Sequence, residues 1–220
     1  IDFDRDWLDD ARRYYTNIVG KYGVQVQNVL KKAAALDIRY ICSLHGPVWR
    51  SNLDYIIGKY NIWSTYEPEV RGVMIAYASM YGNTENAANV LAVKLADAGV
   101  KNMVVHDISR THVSQLISDS FKYSHIVLAS PTYNNGVYPV MANYLDDMKA
   151  LNVQNRTVAV LGNGTWAPMS AKLMEAKIGE MKNMTILTEN FAMKSSLKDS
   201  QMEEMDVLAA RLAKEILGNE

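Results

Sequence analysis

The sequence contains a single cysteine, Cys42, among its 220 residues, and this scarcity excludes an internal disulfide. One cysteine is typical of proteins from a reducing compartment. Long apolar runs are also missing, since none approaches the ~20 residues that a membrane-spanning helix needs, and no signal peptide is visible. We therefore expect a cytoplasmic protein. Because the chain begins with Ile rather than Met, we also expect a truncated or processed start.

An excess of charge of either sign is absent as well. The net charge is −1, from 23 Lys and Arg against 24 Asp and Glu, and both signs are mixed along the chain. This balance argues against a surface for nucleic acid or an anionic membrane. With 49% hydrophobic residues the chain can form a core, and its length suits one domain or one domain plus part of another.

Strands and helices alternate from Arg71 onward. The predicted strands are short, continuous apolar runs, which is typical of strands buried on both faces of a parallel sheet, and the helices have amphipathic periodicity. Five strand–helix units predict an α/β, doubly wound, three-layer domain whose loops after the strands lie along one edge. The predicted strands are Val73–Tyr77, Asn102–Asp107, His125–Ala129, Thr157–Leu161 and Met184–Thr188, and the predicted helices are Thr84–Ala98, Val113–Phe121, Pro139–Leu151, Met169–Met181 and Asp199–Leu217.

The first of these strands ends in a small, polar loop that opens a helix at once. Such a loop offers backbone N–H groups and hydroxyls to a phosphate, and the helix N-terminus adds positive potential. The loop contains neither Lys nor Arg, so neutral donors would hold the anion, which suits a monophosphate better than a triphosphate with Mg²⁺. The alternative is an ordinary turn with a threonine cap. The candidate phosphate-binding residues are Ser79, Met80, Tyr81, Gly82, Asn83 and Thr84.

Two further loops on the same predicted edge are rich in Gly, Asn and Thr, and each carries an aromatic side chain. Their backbone groups suit the polar edge of a planar ring, and Tyr133 and Trp166 suit its faces, although surface packing is the alternative for both aromatics. One phosphate loop and two aromatic loops together predict a site for flavin mononucleotide (FMN). The candidate ring-binding residues are Ser130, Pro131, Thr132, Tyr133, Asn134, Asn135, Gly136, Gly162, Asn163, Gly164, Thr165 and Trp166.

On these three loops, the region from Arg71 to Glu220 resembles the flavodoxin family. The resemblance implies FMN as cofactor, with Ser79–Thr84 at the phosphate and the other two loops flanking the isoalloxazine ring. It also suggests that the Asn135-Gly136 peptide flips, so that a backbone carbonyl bonds the reduced flavin, with Gly136 allowing a positive φ. Altered one-electron potentials in a Gly136→Val variant would support this hypothesis.

The first seventy residues have a different pattern. We predict a long helical region over Asp9–Leu36, a strand at Ile38–Cys42 with a buried Cys42 thiol, and a helix at Asn52–Tyr66. The segment YICSLHGPVW resembles the C-terminal end of a metallo-β-lactamase-like αββα domain, in which a histidine after the last strand ligates a metal. The resemblance makes His45 the candidate metal ligand.

Taken together, the two parts resemble the flavodiiron proteins, also called A-type flavoproteins. The resemblance implies that residues 1–69 are the C-terminal end of a metallo-β-lactamase-like domain and that residues 70–220 are a flavodoxin-like FMN-binding domain. In that family, FMN passes electrons to a diiron site that reduces dioxygen to water or nitric oxide to nitrous oxide. The resemblance further implies an electron donor such as rubredoxin or a reduced deazaflavin, and a head-to-tail homodimer in which one subunit's flavin faces the other's iron.

The sequence departs from the family in its iron ligands. The upstream His-x-Glu-x-Asp-His motif is missing, and the other three histidines fall inside the flavodoxin-like region. One imidazole cannot hold two irons. We therefore predict that this chain is only the FMN module of a flavodiiron oxidoreductase, which becomes an enzyme when the upstream half is present. The alternatives are a stand-alone FMN-dependent NAD(P)H or quinone reductase, a flavodoxin-type electron carrier, or a non-enzymatic interaction domain.

Overall fold

The N-terminal part of the chain consists of short helices and one small hairpin. In the computed structural model, which describes residues 2–218, the predicted helix over Asp9–Leu36 is broken by a 3₁₀ turn at Gly20–Tyr22. The break lets Gly23 lie against the carbonyl of Ser64, where a Cβ atom would stand only 2.3 Å from that oxygen. The elements here are α1 (Phe3–Asp6), α2 (Leu8–Ile18), α3 (Gly23–Ala33), β1 (Ile41–Cys42), β2 (Val48–Trp49) and α4 (Leu53–Ser64).

The prediction of a buried strand at Ile38–Cys42 was wrong in both length and burial. Only Ile41 and Cys42 pair with β2, in an antiparallel hairpin, and Cys42 is exposed. A two-residue strand in a two-stranded hairpin cannot cover both of its faces.

The rest of the chain forms a parallel sheet with helices on both faces, as predicted. Its strands are ordered β4-β3-β5-β7-β8, the arrangement of flavodoxin-like doubly wound folds. Every strand pair along this path is parallel. The elements are β3 (Val70–Tyr77), α5 (Asn83–Asp97), β4 (Met103–Asp107), α6 (Val113–Lys122), β5 (Tyr123–Tyr133), β6 (Gly136–Val137), α7 (Pro139–Ala150), β7 (Thr157–Asn163), α8 (Ser170–Gly179), β8 (Thr185–Ile186), β9 (Phe191–Met193), a 3₁₀ turn (Asp199–Gln201) and α9 (Met202–Leu217).

Alternation of side chains along β3 explains the three layers. Val73 and Ile75 point into a core formed with α5 and α9, whereas Met74 points into a second core formed with α6, α7 and α8. All three side chains are fully buried, so the strand is apolar on both faces. None of the helices within residues 2–218 is long and apolar enough to cross a bilayer.

The fifth strand differs from the prediction of one strand at Met184–Thr188. It is divided into β8, which pairs with the first residues of β7, and β9, which pairs with the last residues of β7. The division extends the sheet to Met193 at the carboxyl edge, beside Asn163. The segment that follows β9 therefore begins at the edge where the predicted site lies.

Candidate functional site

The carboxyl ends of three neighbouring strands bring the three predicted loops to one edge of the sheet. Tyr77 of β3 is in register with Ala129 of β5, which is in register with Leu161 of β7. The loops after these strands therefore begin at the same level. This edge lies where the chain switches from one side of β3 to the other, which is where ligands bind in open α/β sheets.

The loop after β3 forms an open cradle at the N-terminus of α5. Gly82 has a left-handed backbone (φ 84°), and its N–H donates to Ser79 Oγ (3.0 Å). Apart from the two chain neighbours of Gly82, no heavy atom of the described residues would lie within 4 Å of a Cβ atom there, so a side chain at this position would point into open space. No side chain of those residues caps α5. The first N–H groups of the helix consequently face this space without an intrahelical partner.

The electrostatics of the cradle come from the backbone rather than from cationic side chains. Tyr77 donates a hydrogen bond to Glu85 in the first turn of α5 (3.2 Å). Burial, with the charge of Glu85, raises the pKa of Tyr77 to about 12, so the phenol stays protonated. Met80 and Tyr81 are exposed beside the loop, while Thr84 is buried beneath it.

The first residues of the segment at the end of β5 form hydrogen bonds to the start of α8. Thr132 Oγ1 accepts hydrogen bonds from the N–H groups of Met169 and Ser170 (both 3.0 Å), which stabilises the start of α8. Ser130 is fully buried, and its carbonyl accepts from Ser170 Oγ (2.8 Å). Pro131 is buried as well. Binding of the ring by these three residues stays a prediction, and it would have to use backbone groups other than the Ser130 carbonyl, which accepts from Ser170.

The end of the same loop is a tight hairpin that presents an aromatic side chain. Asn134 (φ 47°) and Asn135 (φ 57°) form the turn. Gly136 of β6 pairs with Tyr133 of β5. Two consecutive left-handed residues define a type I′ turn, which asparagine tolerates. In this conformation the two asparagines carry the positive φ, and the redox-linked flip of the Asn135-Gly136 peptide stays a prediction. Tyr133 is 44% exposed and packs edge-on against Tyr138.

The loop after β7 divides into a buried part and an exposed part. Gly162 is buried against α8, where a Cβ atom would stand 2.8 Å from that of Ala171. Gly164 donates its N–H to the carbonyl of Met193 (3.1 Å). Thr165 and Trp166 are exposed, Trp166 by 96%. Of this loop, only the exposed part presents side chains to a ligand.

Sequence reasoning missed the segment after β9. Ser195 is left-handed (φ 66°), and its N–H donates to Asn163 Oδ1 (3.0 Å). Asn163 Nδ2 donates in turn to the carbonyl of Ser195 (3.0 Å) and to Thr84 Oγ1 (3.2 Å). The polar run Lys194-Ser195-Ser196 could have indicated this segment, because a polar run after the last strand falls on the carboxyl edge of the sheet.

His45 lies apart from this edge, in a groove of the N-terminal part. The groove has a volume of about 650 Å³ and is lined by apolar and aromatic side chains such as Phe3, Trp7 and Ile56. His45 is exposed, with its ring 5.2 Å from that of Tyr14. Among residues 2–218, no group of three or more His, Cys, Asp or Glu is placed to hold a metal. His45 by itself therefore does not fit a diiron centre.

The site at the sheet edge does fit FMN. The cradle in front of α5 has the space and the free N–H groups that a phosphate monoester needs. Tyr133 and Trp166 are the exposed aromatics of the two neighbouring loops, as a stacked ring would require.

Comparison with known proteins agrees with this geometry. The flavodoxin family model matches residues 75–210. The rubredoxin-oxygen oxidoreductase of Megalodesulfovibrio gigas is 30% identical over 74% of this chain and 41% of its own length. A nitric oxide reductase of Moorella thermoacetica is 27% identical over 80% of this chain and 44% of its own.

A solved structure, the rubredoxin oxygen:oxidoreductase from Desulfovibrio gigas, superposes with a TM-score of 0.83 and 27% identity. The match covers 94% of this chain and 52% of that one. This chain spans about half the length, or less, of the curated relatives it matches. It aligns with that part of flavodiiron proteins that includes their flavodoxin-like domain, and it belongs to the flavodoxin family.

Proposed function

We propose that this chain binds FMN and serves as the electron-transfer module of a flavodiiron oxidoreductase that reduces dioxygen or nitric oxide. The observation that carries the proposal is the uncapped N-terminus of α5, open in front of Gly82, at an edge that also presents Tyr133 and Trp166. Two relatives named as an oxygen oxidoreductase and a nitric oxide reductase support the choice of enzyme class.

Bound FMN supplies the redox chemistry, since it exchanges electrons one or two at a time. The residues of this chain bind and orient it. The N–H groups at the start of α5 and the hydroxyl of Thr84 donate to the phosphate, while Tyr133 and Trp166 hold the ring by stacking. Because the aromatics are exposed, one edge of the ring remains accessible to a donor or acceptor of electrons.

We further propose that residues 1–69 are one part of a metallo-β-lactamase-like domain and that residues 70–220 are the FMN-binding domain. The remaining part of the first domain, which this sequence does not contain, would cover the apolar groove and supply the iron ligands that His45 lacks. The size and apolar lining of the groove support this, because such a surface is costly in water. The match to solved relatives also extends over 94% of this chain but about half of theirs.

The ratio of iron to FMN tests this assignment. Purified protein of this sequence is expected to contain about one FMN and almost no iron, because one imidazole cannot hold two irons. In a longer protein that contains this sequence, two irons per FMN are expected, and His45→Ala should remove iron while leaving FMN bound. A chain without flavin would contradict the proposal. Direct oxidation of NAD(P)H would instead favour a stand-alone reductase.

The partners are proposed on the same basis. One is an electron donor such as rubredoxin or a reduced deazaflavin, and the other is a second copy of the chain in a head-to-tail homodimer. The segment Asn52–Tyr66 and the flavin loops would then contact the second copy. Sedimentation at micromolar concentration is expected to give twice the 24.7 kDa mass of one chain. A single species at the monomer mass would contradict the homodimer for this chain.

A further inference from the structure

The side chain of Asn163 joins three separate segments at the edge of the sheet. It stands at the end of β7 and is 6% exposed. Its amide nitrogen donates to Thr84 Oγ1 (3.2 Å) at the start of α5 and to the carbonyl of Ser195 (3.0 Å) after β9. Its amide oxygen accepts from the N–H of Ser195 (3.0 Å). Both amide protons and one lone pair of the amide oxygen are thus used within the protein.

The contact with Ser195 fixes a strained piece of backbone. Ser195 has φ 66°, a conformation that costs a non-glycine residue free energy and persists only where neighbouring contacts enforce it. The two hydrogen bonds with Asn163 supply that constraint, and Asn83 Nδ2 adds a longer contact to Ser195 Oγ (3.4 Å). Asn163 thereby attaches the segment after β9 to the first residues of α5.

The contact with Thr84 uses the hydroxyl oxygen as an acceptor and leaves its proton for another partner. Because Thr84 Oγ1 accepts from Asn163, its own proton remains available to donate. A donor at this place has the polarity that an anion at the N-terminus of α5 requires. An apolar residue at position 163 would leave the hydroxyl free to rotate and the helix start less constrained.

From this geometry we propose that Asn163 is a positioning residue for the cofactor phosphate, although it stands among the residues predicted to bind the flavin ring. It acts through Thr84 and Ser195 and does not itself contact the cofactor. This inference rests on the proposed binding of FMN at the α5 cradle. It predicts that losing the amide weakens recognition of the phosphate more than recognition of the ring.

The test compares the affinities for FMN and riboflavin, which differ by the phosphate alone. In Asn163→Ala the ratio of the two affinities is expected to fall about tenfold, the factor that corresponds to about one lost hydrogen bond. Ser120→Ala is the matched control, because Ser120 is also buried and hydrogen-bonded, to Tyr144, but lies near the end of α6 away from the site. The control should leave the ratio unchanged.

If Asn163→Ala fails to fold, a pair of variants at Thr84 tests the hydroxyl through which Asn163 is proposed to act, and an unchanged ratio in Thr84→Val would overturn that role. Thr84→Val removes the hydroxyl with little change of shape and should lower the FMN-to-riboflavin ratio, whereas Thr84→Ser keeps the hydroxyl and should preserve the ratio. Equal losses for FMN and riboflavin in Asn163→Ala, or no loss at all, would overturn the positioning role. Failure of the unaltered protein to bind either compound would instead overturn the proposed function.

Discussion

Replacement of Gly82 by valine is expected to weaken FMN binding by about 10- to 100-fold, the loss that corresponds to about one charge-assisted hydrogen bond. Gly82 is left-handed (φ 84°), and a side chain there would project into the open space before α5. Valine would therefore occupy the phosphate's place and also force the loop out of the conformation that aims its N–H groups. Titration followed by flavin fluorescence measures the change.

The control for this variant is Gly99→Val at the other end of the same helix. Gly99 has nearly the same backbone conformation (φ 93°), with only the side chain of Leu217 near its Cβ position, at 4.0 Å. A left-handed non-glycine residue costs about 1–2 kcal/mol, so both variants should lose similar stability. Only Gly82→Val should lose FMN. Wild-type affinity in Gly82→Val would show that the phosphate does not lie at this helix.

The sheet and its functional edge could be predicted from the sequence because both depend on local patterns. Continuous apolar runs such as Val73–Tyr77 require burial on both faces, and right-handed crossovers then place all the following loops at one edge. The loop from Ser79 to Thr84 was recognisable for the same reason, since a polar turn between a strand and a helix is a contiguous signal. The observed strand order confirms this reasoning.

The hydrogen bonds inside the site could not be predicted in the same way. Asn163 contacts Thr84 and Ser195, which lie 79 and 32 residues away in sequence. Periodic patterns of apolar residues do not indicate such a pairing. A glycine- and asparagine-rich loop therefore indicated ligand contacts, whereas Asn163 and Thr132 hydrogen-bond within the protein. The prediction that Cys42 is buried was wrong for another reason. The burial of a residue in a two-residue hairpin strand depends on what packs over the hairpin, and apolar neighbours in sequence do not determine it.

Replacement of Arg12 by methionine is expected to destabilise the protein by about 3 kcal/mol, because it removes the fully buried cationic partner of Glu69 and leaves that buried carboxylate with Lys59 and Trp63 as its remaining donors. The side chain of Arg12 is fully buried and that of Glu69 is 4% exposed, and the two form an ion pair. Trp63 Nε1 and Lys59 Nζ also donate to Glu69 (2.6 and 3.2 Å). The pair joins α2 to the segment that leads into β3.

Arg13→Met is the matched control for this substitution. Arg13 is the next residue on the same helix, is only half-buried, and donates from Nε to the hydroxyl of Ser114 (2.7 Å). Its loss should cost less than about 1 kcal/mol, the usual value of a hydrogen bond without a buried partner charge. Denaturant unfolding at pH 7 measures both variants. Equal stabilities of Arg12→Met and Arg13→Met would contradict the buried ion pair.

The pH dependence gives this prediction a second, independent measurement. Burial acts to raise the pKa of Glu69, but the charge of Arg12 and the hydrogen bonds from Arg12 and Trp63 hold it below its ordinary value of 4.5. A group whose pKa is lowered on folding stabilises the native state above its unfolded pKa, and this contribution is lost as the pH falls through the native pKa. The wild type should therefore lose stability on acidification below about pH 4.5.

Arg12→Met should respond to acid in the opposite sense. Without the arginine charge, burial is opposed by Trp63 and Lys59 but no longer by Arg12, so the pKa of Glu69 rises above its wild-type value, and the protonated carboxyl depends less on a cationic partner. The difference in unfolding free energy between wild type and variant should then be smaller at pH 4 than at pH 7. Glu69→Gln in the Arg12→Met background should remove the acid response that Arg12→Met itself shows at this position, because it leaves no group at position 69 to titrate. A difference that stays constant between the two pH values would assign the loss to packing rather than to charge.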